Sequence, residues 1–95
     1  PSHHSDYQKN NPVKPDDEFV VMFYTDYGYK ETNETLLKDI FNKHSKPEDA
    51  TQPSAQPIPY TKGFVIKGVS WPIINALRAN PRVDSFGPNH KIGPA

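Results

Sequence analysis

Histidine is the side chain best suited to proton transfer or metal binding near neutral pH. This chain has four: His3, His4, His44 and His90. No two of them have the spacing that sets a pair of imidazoles on one helix face as metal ligands. The adjacent pair His3-His4 sits near the N-terminus, where such a doublet is far more often a bystander or tag than a ligand. Cysteine is absent, which removes thiolate nucleophiles, disulfides and cysteine metal sites and leaves the redox compartment undetermined. There is no Gly-x-Ser-x-Gly turn and no phosphate-cradling glycine loop. Without a nucleophile, a base and a group to orient them, the sequence predicts no catalytic residue, no metal and no cofactor. What remains is recognition chemistry, and its candidate is the segment His90-Lys91-Ile92-Gly93-Pro94-Ala95. A terminal segment is ordinarily slack, because few contacts repay its ordering entropy.

The elements that would have to position this segment follow from periodicity. Glu18 to Tyr24 (EFVVMFY) is a continuous β-branched and aromatic run, the signature of a central strand. Gly28 supplies a turn. In ETNETLLKDIFNKHS, Leu36, Leu37, Ile40 and Phe41 form one apolar helical stripe. Thr32 or Asn33 is placed to cap that helix, with Glu34 at its positive end and Lys43 and His44 at its negative end. Residues 45–59 hold four prolines and read as a long loop, with a poor edge strand around Ile58 to Thr61. Lys62 to Gly68 reads as a second good strand. Ser70 is a natural N-cap, Trp71-Pro72 suits a first helical turn, and Ile73, Ile74 and Leu77 give the buried stripe. Asn80-Pro81 ends that helix. Val83 to Phe86 alternates as a short last strand.

The order strand, helix, weak strand, strand, helix, strand predicts an α+β, ferredoxin-like βαββαβ fold, an antiparallel sheet with two helices on one face. Ninety-five residues form one such domain at most. Residues 1–17 carry no apolar period and read as a disordered N-terminal arm, 18–89 as the domain and 90–95 as a tail. The start at Pro1, without methionine, reads as a processed or recombinant product, and no signal peptide is seen.

Eleven basic residues balance eleven acidic ones. That argues against nucleic-acid binding by phosphate neutralisation and against adhesion to acidic membranes. No apolar run approaches the roughly 20 residues of a membrane span. Lys62-Gly63-Phe64 opens like an RNA-recognition strand, but Ile66 stands where a second stacking ring belongs. Acylphosphatases share this topology, yet Thr25 to Lys30 lacks the arginine of their anion-binding loop. Asn33-Glu34-Thr35 is a sequon that makes Asn33 a glycosylation candidate in a secreted protein. Trp71 and Phe64 read as packing residues. Tyr27 and Tyr29 flank the Gly28 turn and read as exposed contact candidates.

Lys62-Gly63-Phe64-Val65-Ile66-Lys67, the helix ending Leu77-Arg78-Ala79-Asn80-Pro81-Arg82-Val83, then Ser85-Phe86 and Pro88 together resemble the inhibitor I9 family. These are the propeptides of subtilisin-like serine proteases and the stand-alone fungal inhibitors of the same fold. The likeness covers 18–95 in architecture and 62–95 in motif. It implies an inhibitor with no chemistry of its own, whose tail lies as an added strand in the groove of a subtilisin-like serine protease. Ile92 would then be P4, Gly93 P3, Pro94 P2 and Ala95 P1, with His90 and Lys91 leading in. The family often has acidic residues after the last strand that meet helix N-termini on the protease; here Gly87-Pro88-Asn89 take that place, with Asn89 as a secondary contact. The likeness implies a monomer, secreted or vacuolar rather than cytosolic. Two other readings fit the same chain: a detached prodomain that chaperones its own protease, and a small secreted binding module that keeps the fold without the protease contact.

Overall fold

The computed structural model describes residues 13–89. The elements run β1 (Glu18–Phe23), α1 (Asn33–Lys43), β2 (Ser54–Pro57), β3 (Gly63–Lys67), α2 (Trp71–Ala79) and β4 (Val83–Pro88). The strands form one sheet in the order β2-β3-β1-β4, and every pairing is antiparallel. This is the α+β ferredoxin-like arrangement that the order of periodic segments predicts.

Strand alternation splits the sheet into two faces. Phe19, Val21 and Phe23 of β1 and Phe64 and Ile66 of β3 point into a core closed by Leu37, Ile40 and Phe41 of α1 and by Ile73, Ile74 and Leu77 of α2. Burying each such side chain contributes roughly 1.5–3 kcal/mol. Phe86 of β4 stacks on Phe19 at 5.5 Å between ring centroids, and Phe23 meets Phe64 edge-on at 5.9 Å. The Arg78 guanidinium lies 5.9 Å from the Trp71 ring centroid and 5.5 Å from that of Phe86, so its stem and charge cover the flank of the core. Trp71 is partly buried against the same cluster, a packing role.

The helix ends obey their local chemistry. Thr32 is the N-cap of α1, its hydroxyl oxygen accepting from the Thr35 amide at 3.1 Å. Glu34 in the first turn and Lys43 in the last complement the helix dipole. Ser70 precedes α2 with proline in the opening turn, but its side chain makes no capping bond.

The edge strand lies four residues earlier than the sequence suggests. Residues 54–57 pair with β3, ending at Pro57 opposite Phe64, whereas Ile58 to Thr61 form the hairpin turn. Pro59 fixes the turn, and the Thr61 amide donates to the Ile58 carbonyl at 3.2 Å. Prolines flanking a four-residue strand are tolerated because β2 is an edge. The long loop is therefore 44–53. It is folded on itself, with the Lys46 amide on Asp49 Oδ2 at 2.9 Å and Gln52 Nε2 on the Lys46 carbonyl at 3.0 Å. Gly68, at φ +73°, lets the Gln52 carbonyl come within 2.4 Å of where a Cβ would stand. The last residues of the N-terminal arm also belong to the domain. Val13 packs against the core, and Lys14 and Asp17 close a turn through the Lys14 amide and Asp17 Oδ2 at 2.9 Å.

Candidate functional site

The tail His90, Lys91, Ile92, Gly93, Pro94 and Ala95 lies outside the described residues, so its place of departure is what the fold defines. β4 is an edge strand, hydrogen-bonded along one side to central β1. The pairing continues past the strand's end. The Asn89 amide donates to the Glu18 carbonyl at 2.9 Å, and Asn89 Nδ2 donates to Glu18 Oε1 at 3.1 Å. Asn89 is thus a pin that holds the root of the tail on the sheet.

The second face of the sheet carries neither helix. Val20 and Met22 of β1 point there, opposite Val65 and Gly63 of β3, and Val20, Met22 and Val65 are only half-buried. The thioether of Met22 covers Gly63 and would have to swing aside for any side chain there. Beyond Phe23, the Tyr24 amide still pairs with the Arg82 carbonyl at 3.0 Å. Alternation therefore extends the apolar row Val20–Met22 to Tyr24, which is exposed. The RNA-like strand does not use this face for rings: Phe64 faces the core, so its ring is not offered to a base.

The two tyrosines singled out in the sequence have different fates. Tyr27 is 90% exposed beside Gly28, whose φ is +89°. Tyr29 is exposed on one side and lies over the Arg82 guanidinium, 4.1 Å from ring centroid to carbon. Arg82 is 9% exposed. Its Nη2 donates to Asn33 Oδ1 at 2.6 Å and to the Glu31 carbonyl at 3.1 Å. Asn33 Nδ2 in turn donates to the Tyr24 carbonyl at 2.9 Å. A buried cation needs such acceptors, because removing it from water is costly. This network ties the 24–32 loop, the start of α1 and the start of β4 into one unit.

Asn33 is therefore not a glycan acceptor in this fold. It is 5% exposed, and the amide nitrogen that a glycan would use is bonded inside. A sequon reports residue type and cannot report burial. The Arg82–Asn33 network and the Ile58–Thr61 turn escape sequence reasoning for the same reason: each depends on residues brought together by the sheet. The one available signal was Pro59 at the second position of the turn.

A cavity of about 520 Å³ lies between the end of α1 and the start of α2, lined by Lys14, His44, Lys46, Asp49 and Trp71 among others. Among the described residues, no group of three histidine, cysteine, aspartate or glutamate side chains is arranged to hold a metal ion. None of the helices described is long and apolar enough to cross a membrane. Compared with family models, with curated proteins and with solved structures, the chain has no match.

Proposed function

We propose that this chain inhibits a subtilisin-like serine protease by holding residues 92–95 in the protease's substrate groove. The observation that carries the reading is the attachment of the tail. Six residues follow Asn89, and Asn89 is bonded to Glu18 through both its amide and its side chain. A peptide leaving a rigid edge strand loses less entropy on binding than a free peptide, and it stays near the groove after any cleavage. Ile92 suits an apolar P4 pocket, Gly93 an extended backbone, Pro94 a position that needs no donor, and Ala95 a broad P1 pocket. The open face of Val20, Met22 and Val65 supplies a second surface against the protease, since half-buried apolar side chains on a sheet gain from being covered.

Titration of subtilisin activity with the full chain and with a chain ending at His90 tests this. The full chain inhibits tightly and the shortened chain does not. Equal behaviour of the two chains would leave a binding module that acts through its sheet face.

A further inference from the structure

We propose that the cavity between the end of α1 and the start of α2 binds a small organic carboxylate with an aliphatic body, its head held by Lys14 and Lys46. The site is separate from the protease contact and does not depend on it. Its volume of about 520 Å³ lies within the roughly 300–1,000 Å³ typical of small-molecule sites. Val69 and Ile73, both core residues, and the partly buried Val13 and Trp71 give it apolar walls. Among the described residues that line it, Lys14 and Lys46 carry positive charge and Asp49 alone carries negative charge, with His44 beside them.

The two lysines open matching turns. Lys14-Pro15-Asp16-Asp17 and Lys46-Pro47-Glu48-Asp49 share the pattern Lys-Pro-acid-Asp. In each, the last amide donates to the lysine carbonyl, at 3.1 Å and 3.0 Å. In each, the lysine amide donates to the last aspartate's Oδ2 at 2.9 Å. Proline at the second position presets both turns. The second is held further by Gln52, whose Nε2 donates to the Lys46 carbonyl at 3.0 Å and whose own carbonyl lies against Gly68. Both lysine backbones are therefore fixed at the cavity wall before a ligand arrives, which lowers the entropy lost on binding. The same bonds occupy one carboxylate oxygen of Asp17 and of Asp49. Asp16 and Glu48 are exposed and outside the lining. Two ammonium groups suit a single anionic head, and the apolar walls suit a hydrocarbon body. A phosphate dianion would lose more hydration there and meets no arginine fork among the lining residues.

The test is a titration of the full chain with octanoate below its micelle concentration. It is followed by amide chemical shifts and by the fluorescence of Trp71, the chain's one tryptophan. Acetate, which lacks the body, and octan-1-ol, which lacks the charge, are the controls. Octanoate is expected to shift the amides of residues 44–51 and 68–73, with acetate giving no response and octan-1-ol binding roughly tenfold more weakly. The double variant Lys14→Gln, Lys46→Gln keeps both turns, whose bonds come from backbone and aspartates. It should bind octanoate roughly tenfold more weakly at an unchanged melting temperature, because hydrogen bonds to charged groups are the stronger kind. If the variant melts lower, the octan-1-ol comparison on the unaltered chain decides. Octan-1-ol binding as tightly as octanoate, an unchanged octanoate affinity in the double variant, or shifts confined to the open sheet face would overturn the inference. So would the absence of any response to octanoate.

Discussion

Replacing Asn33 with alanine removes a side chain that bonds at both ends, so its cost can be worked from the structure. The variant loses the 2.6 Å bond from Arg82 Nη2 and the 2.9 Å bond to the Tyr24 carbonyl. The backbone bond from the Asn33 amide to Asp26 Oδ2 does not need the side chain and survives. A buried polar group stripped of its partner costs about 1–3 kcal/mol, with charged groups at the upper end. Arg82 keeps the Glu31 carbonyl, and the Asn33–Tyr24 bond is only part-buried. Both reduce the loss, to about 2–4 kcal/mol in all. For a domain of this size that lowers the melting temperature by roughly 10–25 °C. Urea denaturation followed by circular dichroism measures it, with an unchanged m-value showing that compactness is preserved. A double-mutant cycle with Arg82→Met should give a coupling of at least about 1 kcal/mol, since the pair is in direct contact. A loss below about 0.5 kcal/mol, the range of ordinary surface changes, or strict additivity with Arg82→Met, would refute the reasoning.

Other outcomes follow from backbone geometry and burial. Gly68→Ala puts a Cβ 2.4 Å from the Gln52 carbonyl at φ +73°, whereas Gly28→Ala at φ +89° meets nothing within 4 Å. The first should cost about 2–4 kcal/mol and the second about 1 kcal/mol, the left-handed penalty alone; equal losses by thermal melting would contradict the placement of the 44–53 loop. Folded protein secreted from a glycosylating host should carry no glycan at Asn33 by intact mass. A glycan there on protein that melts like the bare chain would show that Asn33 is not buried.

The apolar periods of β1, β3 and both helices were legible because each element presents a single stripe to the core, and residue type alone reports that. Even Phe64 and Trp71 could be assigned to packing on this ground. β2 was misplaced because its short sequence, Ser54–Pro57, has no apolar alternation; it is a strand only because β3 offers an edge. Arg82 was invisible as a buried residue, since nothing local distinguishes it from a solvated arginine. It is buried only because Glu31 of the 24–32 loop and Asn33 at the start of α1, 51 and 49 residues from it in sequence, come over it. Asn33 shows the opposite error, a local motif whose meaning the fold cancels. The tail lies outside the described residues, and what the fold adds is the Asn89–Glu18 pairing at the end of β4.

The central claim is that the protease's substrate groove is where the tail binds. Calorimetric titration of the full chain into subtilisin whose groove is blocked by a covalent tetrapeptide chloromethyl ketone, beside the same titration into free subtilisin, tests it most directly. The account predicts tight binding to the free enzyme and binding at least a hundredfold weaker to the blocked one, because the tail's pockets are filled. Equal affinity for the two would place the contact elsewhere and contradict it.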